Sequence, residues 1–293
     1  MRLSIFVVWA NALIGSKVMM QTQKQNMSRR NRFGSLLADW RRLRRVSQMT
    51  LAMDAEISQR HISFVESGRA RPSRETVLAI TEALDMPLRA RNELLDAAGF
   101  AAFYPERPLE GAEMDRSREM LRRILAHHEP YPAMVLDRSW NILMKNDASK
   151  RIISKFLDEP AIAHLSPDGR PNVIRLMFHP NGMKPHVRSW VRTAPILIGR
   201  LRREAAAYPG SPSKDLLREL LPGAPAAFIP GVDDAPLAPT VALELEIGDE
   251  LLRLFNTLTT FGTPQDVTLQ ELRIEMSFPA DDTSDALLRR WAE

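Results

Sequence analysis

Two short apolar-patterned segments, separated by a tight break, constrain this chain more than any other feature. They read Ser47-Gln48-Met49-Thr50-Leu51-Ala52, then Ile57-Ser58-Gln59-Arg60-His61-Ile62-Ser63-Phe64-Val65-Glu66-Ser67-Gly68-Arg69. The second opens on Ser58, whose hydroxyl suits the unpaired N–H groups of a first helical turn. Leu51, Ala52, Ile57, Ile62 and Val65 are the small and apolar positions at which two such helices pack. The same periodicity extends from Phe33 to Gly99, with Leu36, Leu37, Trp40 and Leu43 in the first run. Breaks near Ser47, Ile57, Gly68 and Asp85-Met86-Pro87 divide it into five short helices, at about 33–45, 48–55, 58–66, 73–84 and 87–98. Gly99 is a natural C-cap, and Pro105, Pro108 and Gly111 mark a link beyond it.

Charge sets this segment apart. Met27–Arg74 holds 11 Arg, no Lys and 4 acidic residues, whereas the remainder to Glu293 is net acidic by 6. An arginine-only head on an acidic body points to a polyanionic partner at one end. With 293 residues the chain has room for about two domains. With no cysteine, disulfide scaffolds, Cys-ligated zinc, iron–sulfur clusters and thiol nucleophiles are excluded.

Residues 33–98 resemble the XRE family of phage-repressor-like helix-turn-helix domains, whose pattern SQ..LA…..S…IS..E.G…P is met at many positions, Arg71-Pro72-Ser73 included. The resemblance implies double-stranded DNA as partner. It assigns Gln48, opening the second helix, to a phosphate and to buttressing the recognition helix. Ser58 and His61 lie in the leading turn of that helix. Gln59 and Arg60 would lead base reading, since Gln suits adenine N6/N7 and Arg suits guanine O6/N7. Phe64 is expected either to touch a thymine methyl or to pack. Arg69, Arg71 and Arg74 would contact phosphates, and Arg41 with Glu66 would form an interhelical ion pair that sets geometry. Glu56 departs from the family, which favours glycine in that turn for left-handed backbone.

The second region mixes helices and strands. We expect a helix over Met114–His127 and β-runs at Ala133–Leu136 and Trp140–Met144 around Asp137-Arg138-Ser139. Helices follow near 147–157, 172–178, 186–207 and 213–221, with Pro195 expected to kink or restart the third. Residues 222–239 hold five prolines and read as a loop. Val241, Leu243, Leu245 and Ile247 alternate as a strand, Glu250–Phe261 less cleanly, and Leu272, Ile274, Met276 and Phe278 alternate again; Ser284–Trp291 is a closing helix.

This region resembles the MmyB-like ligand-binding domain, which is PAS-like. The likeness rests on His128-Glu129-Pro130-Tyr131-Pro132-Ala133, on Asp137 to Leu143, and on Thr259-Thr260-Phe261-Gly262-Thr263-Pro264 running into Asp266–Glu275. It implies a pocket for a small apolar, fatty-acid-like ligand and no cofactor. Trp140, Met144, Trp190, Leu254 and Phe255 are candidate lining residues, or plain core. Arg188, Arg192, Arg200, Arg202 and Arg203 would hold a ligand carboxylate or form a solvated face. The expected cavity lies between the 186–207 helix and a sheet that includes Leu254, Leu272 and Ile274.

Enzyme chemistry finds little support. His127, His128, Glu129, His164, His179 and His186 have no metal-ligand spacing, and no G-x-S-x-G, P-loop or dinucleotide fingerprint occurs. Leu3–Ile14 is apolar but too short to span a bilayer. It follows Arg2, so a signal peptide is the alternative, but no small-x-small cleavage site follows. We read the working protein as starting at Met27 or Met20, and as cytoplasmic.

The combined expectation is an all-α five-helix phage-repressor-like helix-turn-helix domain followed by an α+β PAS-like domain with an antiparallel sheet. Its parts are an extension at 1–32, a DNA-binding domain at 33–99, a linker at 100–112 and a ligand-binding domain at 113–293. It describes a one-component, homodimeric transcription regulator that senses a small apolar ligand and does not bind membranes. The alternatives are a C-terminal domain that only dimerises and an enzyme fused to a DNA anchor.

Overall fold

A computed structural model describes residues 32–166, 169–188, 190–223 and 242–293. The N-terminal extension and most of the proline-rich 222–239 segment lie outside the described residues. The chain divides into two compact units, one ending at Glu106 and taking in Gln265–Val267, the other formed by Arg107–Pro264 and Thr268–Glu293.

The first unit is helical. Helix α1 spans 32–43, α2 Gln48–Asp54, α3 Gln59–Glu66, α4 Arg74–Ala83 and α5 Leu88–Ala98. Phe33, Leu37 and Trp40 of α1 are buried with Leu51, Ile62, Val77, Ile80 and Leu95. Leu43 departs from the expected stripe and is 37% exposed, because α1 ends there and its last turn faces out.

The sequence writes both ends of these helices. Ser47, Ser58 and Ser73 each accept a hydrogen bond from the third backbone N–H beyond, at 3.0, 3.2 and 3.1 Å. After α1, α2, α4 and α5 the chain makes the paired reverse bonds of a Schellman cap, for example Glu56 N–H to Met53 O and Ile57 N–H to Ala52 O. Gly68 and Gly99 fill the left-handed position after α3 and α5, but Arg45, Glu56 and Asp85 fill it after α1, α2 and α4, at φ 57°, 54° and 44°. Glu56 thus adopts the backbone the family glycine implies, at a cost of about 1–2 kcal/mol for a residue with a Cβ.

The second unit has one antiparallel sheet of order β2-β1-β5-β4-β3, with β1 Ala133–Leu136, β2 Ile142–Lys145, β3 Leu243–Ile247, β4 Glu250–Thr259 and β5 Arg273–Pro279. One face packs on α6, Asp115–His127, in a core of Leu109, Met114, Leu121, Leu125, Ala133, Val135, Leu272 and Ile274. The opposite face carries Leu136, Leu245, Leu252 and Leu254 against α7 Asp147–Ser154, α9 Val173–Phe178, α10 Trp190–Ala207, α11 Ser213–Leu220 and α13 Asp282–Ala292.

The sheet face under α10 and a restart at Pro195 are corrected, and two helices are added. Leu272 and Ile274 belong to the α6 side, so the sheet surface beneath α10 presents Glu275 instead. Successive strand residues point to opposite faces, so both sets cannot share one. Helix α10 neither stops nor restarts at Pro195, which deprives only the Val191 carbonyl of its helical donor, and Val191 is 70% exposed to water. Helices α8, Glu159–His164, and α12, Val267–Glu271, add to those that periodicity predicts. The first carries its own signal: Asp158 caps Ala161 N–H at 2.8 Å with Pro160 in the first turn.

Candidate DNA-binding surface and ligand cavity

Helix α3 is held by one half-buried carboxylate. Glu66, at its end, receives Arg41 Nε at 3.1 Å and Arg41 Nη2 at 2.7 Å, and Gln48 Nε2 at 3.1 Å. Arg41 also donates to Val46 O at 3.0 Å. The pair is 18% and 11% exposed, and three helices meet at it. Burial pushes the Glu66 carboxyl up, but the bonds from Arg41 and Gln48 and the charges of Arg41 and Arg42 outweigh it and hold it below its ordinary value. The bond to Glu66 raises Arg41. Gln48 thus gives one donor of its amide to the buttress.

Gly34, which the sequence reading passed over, sets the approach of α1 to this point. A Cβ there would lie 2.1 Å from the Glu66 carbonyl oxygen. A glycine inside a helical pattern was the available signal.

With its C-terminal end fixed, α3 leaves Ser58, Gln59 and Arg60 exposed at its start, with His61 and Phe64 half-buried. Arg60 and Arg69 lie over the Phe64 ring, at 5.2 and 6.0 Å from its centroid. Arg69, Arg71 and Arg74 are exposed. Arg71 already donates to Ala98 O at 3.3 Å and covers Phe100, and Arg74 covers Phe103.

In the second unit a cavity of about 180 Å³ opens between α9, α10 and the sheet. Its apolar wall includes Val173, Ile174, Met177, Leu197, Leu254 and Leu258. Trp140 closes one end at φ 69°, in a turn that Asp137 pins by accepting from Ser139 N and Asn141 N at 2.7 and 2.9 Å. The indole donates to Glu204 Oε2 at 3.0 Å and is covered by Arg200 and Arg273, at 4.8 and 4.7 Å. Both arginines also donate to Glu204, at 3.3 and 2.9 Å.

Thr193, Arg200, Asn256 and Glu275 are the polar side chains on the wall. Burial pushes Glu275 up to about 6, with Arg200 and a 2.7 Å bond from Asn256 pulling the other way.

Residues 117–290 match the family model for the MmyB-like transcription regulator ligand binding domain, well over half of the chain, and residues 32–94 match a helix-turn-helix domain. The chain belongs to the MmyB-like ligand-binding-domain family. It is a transcription regulator with an N-terminal helix-turn-helix DNA-binding domain. Among solved structures it is similar to one titled "Structure of an RNA-binding Light-Oxygen-Voltage Receptor", at 10% identity and a TM-score of 0.26 over 97% of this chain and 67% of that one. No curated protein matches.

Within this MmyB-like regulator, Trp140 and Leu254 line the cavity, and Met144 and Trp190 lie elsewhere. Met144 packs with the α6-side core, and Trp190 meets Phe178 edge-on at 4.8 Å. Phe255 stacks on Phe278 at 5.2 Å, on the sheet face turned away from the cavity. Of the five arginines considered, Arg200 alone reaches the wall; Arg188 pairs with Glu246 at 3.4 Å, and Arg192, Arg202 and Arg203 are exposed. The histidines are dispersed: His128 Nε2 bonds Ser277 O at 2.9 Å and His186 meets Phe156. Among the described residues no group of three or more His, Asp or Glu side chains could hold a metal ion, and no helix is long and apolar enough to cross a membrane.

Proposed function

We propose that this regulator reads operator DNA with the start of α3 and that a small, largely apolar molecule in the α9–α10 cavity modulates that reading. The observation that carries it is the Arg41–Glu66–Gln48 lock, which fixes one end of α3 and leaves Gln59 and Arg60 exposed at the other. Gln59 and Arg60 are the proposed base readers, with Ser58, His61 and Phe64 beside them. Arg69, Arg71 and Arg74 are proposed phosphate contacts, Arg71 and Arg74 by leaving their aromatic partners, an exchange worth about 0.5–1 kcal/mol each at exposed sites. Gln48 acts through Glu66. A homodimer is proposed because one such helix covers too little DNA for tight specificity.

The cavity favours the sensing reading over a C-terminal domain that only dimerises, which needs no space inside the core. The test is operator selection followed by binding titrations across salt concentrations. Arg60→Ala costs about 1–3 kcal/mol on the selected site and relaxes one base pair, whereas Arg69→Ala weakens all sequences and reduces the salt slope by about one. An unchanged selected site in Arg60→Ala refutes the assignment.

A further inference from the structure

A second concavity in the C-terminal unit shares no lining residue with the α9–α10 cavity. It is a cleft of about 420 Å³ lined by the end of α8, by α9 and the turn after it, and by the end of α11. Helix α9 separates the two spaces: Val173, Ile174 and Met177 line the first, Arg175 and Phe178 the second. The turn is fixed. Gly182 N–H donates to His179 O at 2.9 Å and Met183 N–H to Leu176 O at 2.8 Å, which folds the chain back against α9. Glycine permits that approach, since a Cβ at 182 would lie 2.2 Å from the Leu176 carbonyl oxygen. Asn181 N–H also donates to His179 Nδ1 at 3.1 Å, so the N–H of that ring is at Nε2. His179 starts the turn and Lys184 ends it, and both line the cleft.

Charge on this wall is unbalanced. Among the described residues Glu219 is its one acid, and both Glu219 oxygens accept from Arg175 Nε at 3.1 Å. That pair cancels itself. Lys184 is left over: among the described residues it makes no ion pair and no hydrogen bond, and its ammonium lies over the Trp190 ring, 5.6 Å from the centroid. Leu165, Phe178 and Leu220 make the apolar part of the wall. Small-molecule sites combine apolar walls with a few polar groups that fix orientation in this way.

We propose that this cleft is a second ligand site, which takes a bulky apolar monocarboxylate of about two rings. The carboxylate pairs with Lys184, with the His179 N–H on the same wall as a second donor, and the rings lie on Leu165, Phe178 and Leu220. The site does not depend on the sensing reading of the α9–α10 cavity.

Charge decides the head group. One unmatched cation suits one negative charge. A dianion would need Arg175 as well, and Glu219 holds it. A cationic head meets Lys184 with no unmatched acid on the wall to offset it, and a neutral head leaves Lys184 unpaired. Volume decides the body: about 420 Å³ is nearly three times the engineered cavities of about 150 Å³ that hold benzene, which is room for two fused rings.

The experiment is calorimetric titration of the full chain at pH 7.5 with 2-naphthoate, its neutral isostere 2-naphthamide and 2-naphthyl phosphate. Native, Lys184→Met and Glu219→Gln forms are compared, each checked for folding by circular dichroism. In the native chain naphthoate binds about tenfold tighter than naphthamide, the worth of a hydrogen bond to a charged group, and naphthyl phosphate binds no tighter than naphthoate. Lys184→Met keeps the contact with Trp190, removes the charge and closes the gap between naphthoate and naphthamide. Glu219→Gln releases Arg175 and strengthens naphthoate about threefold, a direction that partial unfolding cannot produce. Naphthoate binding that survives Lys184→Met unchanged lies elsewhere in the protein and overturns the proposal. So does naphthamide or naphthyl phosphate binding as tightly as or tighter than naphthoate and tighter respectively, a folded Glu219→Gln chain that binds naphthoate no better than the native one, or a native chain that does not bind naphthoate. None of these results touches the sensing reading, whose cavity has no residue in common with this cleft.

Discussion

Replacing Glu275 by Gln should stabilise the protein, and only above about pH 5. The carboxyl titrates near 6 in the folded chain against an ordinary value of 4.5. Burial among Met134, Leu258 and the cavity wall causes the rise, and the charge of Arg200 and the bond from Asn256 moderate it. Below pH 4.5 the group is protonated in both folded and unfolded chains and contributes no difference. Between 4.5 and 6 the unfolded chain gives up its proton first, so folding stability declines as pH rises. Above 6 the penalty is complete. At 1.36 kcal/mol per pH unit it amounts to about 2 kcal/mol, an upper figure because Glu275 is only half-buried. Glutamine keeps the shape and never ionises. Scanning calorimetry of the native chain and the variant at pH 4.5, 6 and 8 should show transitions of the second unit that coincide at the lowest pH. At pH 8 the variant should melt higher by about 4–8 °C, taking 2–4 °C per kcal/mol for a unit of this size. A gap that stays constant across the three pH values, or a variant less stable at pH 8, refutes the argument that an under-partnered carboxylate is held in the cavity.

The first unit offers three further tests. Glu56→Gly removes the left-handed strain after α2 and should raise that unit's stability by about 1 kcal/mol in urea melts; because it also removes an acid, DNA affinity should not fall. Gly34→Ala places a methyl 2.1 Å from a backbone oxygen and should cost about 3 kcal/mol by the same measurement, since backbone cannot step aside as a side chain can. Glu66→Ala strands Arg41 and frees Gln48 and should cost about 3 kcal/mol at pH 7. Glu66 titrates below its ordinary value when folded, so its contribution holds above that value and is lost as pH falls through the folded one; the stability curves of the native chain and the Glu66→Ala variant should converge in acid.

The helix-turn-helix was legible because its determinants are local. Ser58 sits at the cap it was suited to, Ser47 and Ser73 cap where a break and a helix start were read, and Leu51, Ala52, Ile62 and Val65 are buried where a three-to-four residue stripe puts them. What escaped was the close approach at Gly34, which depends on where a carbonyl 32 positions later arrives in space. The second unit reversed this balance. Apart from the short α8 and α12, its helices and strands were readable within a few residues, yet the side of the sheet that mattered was not. Alternation along β5 separates Ile274 from Arg273, Glu275 and Ser277, and a sheet with one wet face would send the latter set to water.

Here helices cover both faces. The apolar set packs on α6, and the polar set is turned inward toward α10, where Arg273 reaches Glu204, Glu275 meets the cavity and Ser277 is buried. No pattern within a single strand distinguishes an outward polar face from an inward one. The distinction lies in α9 and α10, about 70 to 100 residues earlier in the chain, whose apolar stripes need a surface to cover. A polar row covered in this way costs stability unless each group finds a partner. Arg273 finds one in Glu204, and Glu275 only in part. An acceptor left partly unfilled under an apolar roof destabilises the fold once it ionises, and that cost is what the pH dependence of Glu275→Gln measures.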